Sequence, residues 1–172
     1  PNLLMRTTQD AHEALVRGQI EVAFYYEALT DERLEISHLG DLTAGVYCGI
    51  NHPLFKKRKV TAEKVLEYDF SVPQSGANGR VQDGWPVDIE RKIGMRITML
   101  STNLAVCLSG QFVTVLPDVV AKKHLQAKEL KKLPLNVIDP IPVYGARRKS
   151  DGDNMPSAVV LKAIGEQLKD VQ

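Results

Sequence analysis

A helix, a glycine and then a strand occur in that order twice in this chain, and this pairing restricts the fold more than any other feature. In the first instance Leu3, Leu4 and Met5 predict a short strand, and Thr7, Thr8 and Asp10 offer oxygen atoms to the free amides of a helix start. Ala11, Ala14 and Leu15 then recur at three- and four-residue spacing, Gly18 suits the left-handed end of a helix, and 20–25 resumes as a strand. In the second instance a strand is expected near 96–100, a helix near 102–109, and a β-branched strand over 113–116 that Pro117 ends. Such units close most easily as parallel strands joined by a right-handed helical crossover, which predicts an α/β fold.

The segments around these units follow the same logic. Extended runs over 36–39 and 42–50 stop at His52-Pro53-Leu54, Thr61 caps a short helix carrying Ala62, Val65 and Leu66, and 70–73 follows as a strand. Gly76, Gly79 and Gly84 punctuate a long loop over 74–85. Asp118 opens a helix through Val119, Val120 and Leu125, the proline-rich 133–142 reads as extended, and 143–147 is one more strand. Asn154 is the expected N-cap of a terminal helix that sets Val160, Ile164 and Leu168, with Ala163, against the sheet.

Charge and cysteine usage exclude several function classes. The 22 basic residues are balanced by 21 acidic ones, so the chain has no global positive field with which to hold a phosphate backbone. No apolar run is long enough to span a membrane. Cys48 and Cys107 lie among apolar neighbours, far apart and outside any Cys-x-x-Cys pair, and read as reduced core thiols, which favours the cytoplasm. His12, His38, His52 and His124 show no metal-ligand spacing, and neither a Gly-x-Ser-x-Gly elbow nor a phosphate loop is present, so no catalytic residue, metal or cofactor is assigned. The basic run Lys56–Lys59 reads as a solvated loop.

Four stretches in order carry a resemblance: LVRGQIEVAFYY (15–26), NHPL (51–54), VLEYDFSVP (65–73) and SGQFVTVLPD (109–118). They resemble successive landmarks of the effector-binding (substrate-binding) domain of LysR-type transcription regulators. The resemblance implies a two-lobed fold like the type II periplasmic binding proteins, with a ligand cleft between lobe one, 1–45 with 145–172, and lobe two, 46–144. It also implies a small-molecule effector, self-association as dimer or tetramer, and DNA contact only through an N-terminal winged helix-turn-helix absent from this sequence. Residue 1 is Pro rather than Met, and a strand and a helix of the first lobe are expected ahead of it. Two departures stand out: Phe112 occupies the second glycine of the family's Gly-x-Gly, and Glu21 replaces an aspartate. The competing implication of the same fold is a periplasmic type II solute-binding protein of a transporter.

A cleft faced by helix N-termini suits a small carboxylate or an aromatic acid, because free amides carry partial positive charge. The candidate ligand residues are Thr7 and Thr8 at the first helix start, Ser101, Thr102 and Asn103 at a second, Gln74 after a strand end, and Tyr26, whose neighbour Tyr25 should point the other way. For the threonines and for 101–103, ordinary N-capping is the alternative role. Trp85 reads as a loop anchor.

Overall fold

Capping chemistry sets the element boundaries in the computed structural model, which describes residues 3–76, 79–152 and 155–169. In chain order the elements are α1 (Thr8–Val16), β1 (Ala23–Tyr25), β2 (Leu34–Leu42), β3 (Ala44–Gly49), α2 (Ala62–Leu66), β4 (Asp69–Pro73), β5 (Lys92–Ile97), α3 (Leu100–Ser109), β6 (Val113–Pro117), α4 (Asp118–Gln126), β7 (Leu130–Lys132), β8 (Ile141–Arg148) and α5 (Pro156–Lys169). The chain divides into two compact units. One comprises Pro1–Leu42, Gly76–Arg80 and Pro142–Gln172, the other Thr43–Ser75 and Val81–Ile141.

In the first unit, Thr7 accepts from the Asp10 amide to open α1. Gly18, at φ +73°, closes it: the Gly18 amide bonds Leu15 O and the Gln19 amide bonds Ala14 O, a left-handed double turn that satisfies two otherwise free carbonyls. Leu15 then packs with Ala23, Tyr25, Leu34 and Ala146 over a three-stranded sheet of order β1-β8-β2. The pairing of β1 with β8 is antiparallel, Phe24 opposite Gly145. The parallel crossover expected between 3–5 and 20–25 does not form, for want of its first strand, whereas the one expected between 96–100 and 113–116 does, β5 and β6 both lying parallel to β4. Leu3, Leu4 and Met5 form no strand and stand exposed, because three apolar residues specify a strand only where a neighbour offers a ladder.

The terminal helix is also rotated from expectation. Ser157 and Leu161 are its buried residues, whereas Val160 and Ile164 remain 44% and 38% exposed. Small residues decide this packing. A Cβ on Gly145 would lie 2.4 Å from Leu161 Cδ2 and 2.9 Å from Leu39 Cδ1, so the bare backbone of β8 lets the Leu161 row settle on the sheet. The expected N-cap, Asn154, lies outside the described residues.

The second unit is built on a five-stranded sheet of order β5-β4-β6-β3-β7. Strand β4 runs parallel to β5 and β6, while β3 is antiparallel to β6 and β7. Alternation along β3 gives each sheet face its own core: Val46 and Cys48 join Leu54, Val65, Phe70 and Val113, and Tyr47 joins Cys107, Leu116, Ala121 and Leu130 under α3 and α4. The two cysteines therefore belong to opposite faces and are free. Burial pushes the Cys48 thiol up to about 11 and that of Cys107 to about 12.

Two of the sequence landmarks meet here. Gly110, at φ +79°, ends α3 against the Asn51–Leu54 turn, where a Cβ would come within 2.6 Å of His52 N, and a Cβ on Gly49 would come within 2.4 Å of Cys107 O. His52 is buried beneath that contact, its ring 4.7 Å from that of Tyr68 and its Nδ1 accepting from the Leu54 amide. The long loop before β5 is tied down by the buried fork of Arg91 on Asp83, at 2.7 and 3.0 Å, with the guanidinium 4.5 Å over Trp85. Trp85 Nε1 in turn donates to Ile89 O.

Candidate functional site

Ligands of open α/β sheets bind outside the carboxyl ends of parallel strands, where the chain leaves in opposite directions from neighbouring strands. In the second unit that place is the end of β4, which lies between β5 and β6. Gln74 follows β4 directly, is exposed and makes no side-chain hydrogen bond among the described residues. Beside it Ser75 bridges to Val81, and Ser75 Oγ accepts from Arg96 Nη1 at 3.3 Å. Arg96, on β5, was not among the residues that the sequence pointed to. Its only signal was a cation near a strand end.

Helix α3 leaves from β5 at the same edge. Its N-cap is Met99, which has no side chain able to cap, and its first turn holds no acid. The expected capping by Ser101, Thr102 and Asn103 is corrected: β5 ends at Ile97 and the helix begins at Leu100, so these residues fall inside the helix rather than before it. The first intrahelical bond runs from the Asn103 amide to Met99 O. The amides of Leu100, Ser101 and Thr102 find no acceptor among the described residues. Ser101 and Thr102 are exposed with free hydroxyls, and Asn103 is 1% exposed with neither its amide nitrogen nor its oxygen bonded.

The starts of α1, α2 and α4 are closed. Thr7 accepts from the Asp10 amide at 3.2 Å and donates to the Asp10 carboxylate at 2.7 Å, and Thr61 accepts from the Lys64 amide with Glu63 in the same turn. At α4 the Asp118 amide donates to Thr43 O, and the Asp118 carboxylate accepts from the buried Tyr47 hydroxyl and from Lys132 Nζ at 2.9 and 3.0 Å. Burial alone would raise the Asp118 carboxyl, but the Lys132 ammonium and the Tyr47 hydroxyl bonded to its charged form hold it below the ordinary value.

Of the other sequence candidates, Thr7 acts as a cap, and Thr8 beside it is half-buried with no side-chain partner among the described residues. Tyr26 follows β1 and is 47% exposed. Tyr25 turns inward, and burial, with the nearby Asp31 charge, pushes its hydroxyl up to about 12. These four belong to the first unit; Gln74 and 101–103 lie in the second, near one sheet edge. Also in the first unit is an open depression of about 480 Å³ lined by Leu29, Thr30, Asp31, Glu32, Leu34 and Ile36. Its acidic rim suits an anion poorly. Among the described residues no group of histidine, cysteine and carboxylate side chains is placed to hold a metal ion, and no helix is long and apolar enough to cross a membrane.

A family model described as the LysR substrate binding domain matches residues 2–169. The chain belongs to that family. As a LysR substrate-binding domain it is the part of a transcriptional regulator that binds a small-molecule effector, and members of this domain family are not enzymes. No curated protein gives a significant match. Solved structures agree on the fold. A candidate transcriptional regulator from Vibrio parahaemolyticus superposes with a TM-score of 0.74 at 16% identity, covering 99% of this chain and 83% of that one. CrgA, a LysR-type transcriptional regulator from Neisseria meningitidis, gives 0.69 at 16% identity over 91% of this LysR domain and 55% of CrgA. The effector-binding domain of QuiR in complex with shikimate gives 0.67 at 16% identity, covering 96% and 79%.

Proposed function

We propose that the domain senses a small carboxylate or an aromatic acid, and that its second unit offers an acid-binding place at the start of α3 together with Gln74 and Arg96. The observation that carries this reading is the contrast among helix starts: of α1 to α4, only α3 has neither a side-chain cap nor an acid in its first turn. Three donor amides with partial positive charge form an anion site, and an acid of the protein's own would compete with the ligand for it. Ser101 and Thr102 add hydroxyls, Gln74 both donates and accepts, and Arg96 supplies a full positive charge nearby. Within the first unit taken by itself, Thr8 and Tyr26 are proposed as ligand residues. The shikimate complex of the QuiR domain supports an acid as ligand.

The effector would act by favouring one of two conformations of the regulator, and it can shift that balance only by its difference in affinity for the two. DNA would be engaged by the segment preceding this domain, in an assembly of several copies. The family match supports a regulator over the solute-binding alternative.

A thermal-shift panel of carboxylates tests this reading. An acid at a hundred times its dissociation constant stabilises the native state by about 2.7 kcal/mol. Thr102→Val should weaken such an acid roughly tenfold while leaving the melting temperature of the free protein unchanged, since the exposed hydroxyl has no partner to lose. Unchanged affinity in that variant removes Thr102 from the site.

A further inference from the structure

Four consecutive cations, Lys56, Lys57, Arg58 and Lys59, stand exposed on the turn between β3 and α2, and no acid occurs in the sequence between Asp41 and Glu63. None of the four side chains has a hydrogen-bond or ion-pair partner among the described residues. Several other cations of the second unit each have an acid: Lys64 has Glu67, Arg91 has Asp83 and Lys132 has Asp118. Glu63, the acid nearest to the run in sequence, is engaged at the start of α2, where its own amide and Thr61 bond its carboxylate. The run therefore bears its mutual repulsion without an anion from the fold to relieve it.

The backbone that carries these charges is fixed. Leu54 is fully buried, and Phe55 and Val60, which flank the run, pack against the same core as Leu54. The Phe55 amide bonds His52 O and the Lys57 amide bonds Leu54 O. From β7, Lys131 Nζ donates to Leu54 O at 3.0 Å and to Lys57 O at 2.5 Å. A fifth positive charge is thereby held against the turn, with no acid paired to it among the described residues. Because Phe55 and Val60 are committed to the core, the exposed part of the turn is cationic, without an aromatic ring to stack on a base or an apolar side chain to enter a bilayer.

We infer that this turn is an auxiliary contact surface for the phosphate backbone of duplex DNA, one that adds affinity without reading sequence. The balance of 22 basic and 21 acidic residues denies the chain a global positive field and sets no limit on a local one. Ammonium and guanidinium groups are the side chains suited to phosphate. Three residue steps carry the run over at most about 10 Å, a length of duplex that holds about six phosphates. Contacts of this kind position a duplex, and sequence is read elsewhere. Since the domain is part of a transcriptional regulator, duplex DNA is the polyanion brought to it, and a weak contact within the same polypeptide acts at high effective concentration.

Fluorescence anisotropy of a labelled duplex of arbitrary sequence, titrated with the 172-residue chain at low salt, tests the assignment. With four phosphates engaged, affinity should fall about fiftyfold between about 20 and 60 mM salt. Lys57→Gln with Arg58→Gln should weaken binding at the lower salt roughly tenfold and reduce that salt effect to about sevenfold. Lys122→Gln with Lys123→Gln removes the same two charges from α4, on the opposite face of the sheet, and should leave the salt effect as it is in the wild type. Equal losses in the two double variants overturn the assignment, because net charge alone would then explain the binding. Absence of duplex binding by the wild type at about 20 mM salt overturns it without recourse to any variant. Tighter binding to phosphatidylserine vesicles or to polyglutamate than to the duplex also overturns it, and makes the partner a membrane or an acidic protein.

Discussion

Helices α3 and α4 start at the same edge of one sheet, each following a parallel strand and each lacking a side-chain cap at the residue before it, Met99 in one case and Pro117 in the other. They solve the problem of free amides in opposite ways. At α4 the protein supplies its own anion, with Asp118 held by Tyr47 and Lys132, and Thr43 O takes the first amide. At α3 nothing is supplied: Met99 cannot cap and no acid stands in the first turn. A helix start finished by its own acid serves stability, and one left unfinished is free to take an acid from solution.

The contrast is broken most strongly at α4. Asp118→Ala strips the partner from a fully buried tyrosine hydroxyl and an ion-pair partner from Lys132, and should cost about 2 kcal/mol in urea denaturation. Asp118→Asn, which keeps an acceptor for Tyr47, should lose less. Converting α3 into a start like that of α4 is the next largest effect. Met99→Asp gives the three amides a cap and a charge, so the free protein should gain about 1 kcal/mol while small-acid binding, followed by titration calorimetry, is lost.

Acid titration sharpens the same comparison. The Asp118 carboxyl is held below an aspartate's ordinary 3.8, so the stability it contributes is present above that value and disappears as pH falls through the lower folded-state value. Thermal melts below about pH 4 should therefore decline less steeply in Asp118→Asn than in the wild type. A subtler effect concerns Cys107, on the inner face of α3 and with its thiol pushed up to about 12 by burial. Labelling by a thiol reagent at pH 8 should wait on opening of the helix, and a bound acid should slow it by severalfold. A labelling rate indifferent to an acid that binds would place that acid away from α3.

Features written in neighbouring residues were legible in the sequence. Thr7, Gly18, Thr61 and Pro117 mark element ends because capping and left-handed turns are local chemistry, and the β-branched Val113–Leu116 stretch needs no distant information to read as a strand. Features decided by distant partners were not. Strand β7 is three residues, two of them lysine, and exists because β3 offers its edge. The face of α5 was set by Gly145 and Leu39, far away in the chain, against a regular valine and isoleucine row that pointed elsewhere. At the candidate site the residue types were legible and their roles only partly so. Ser101 and Thr102 have the composition of caps, but the end of β5 fixes where α3 begins, and that Asn103 is buried among leucines follows from packing alone.

The far end of α3 bears on what an acid at its near end can do. Gly49 and Gly110 bring that end backbone against backbone with β3 and the His52 turn, with no side chain between to yield. A rod clamped at one end swings rather than slides. The helix is ten residues long, about 15 Å at 1.5 Å per residue, so a tilt of about 5° about the glycine clamp carries its first turn through roughly 1.3 Å. Pulling on the open amides would thus register as an arc at the sheet edge, with the two glycines as its pivot.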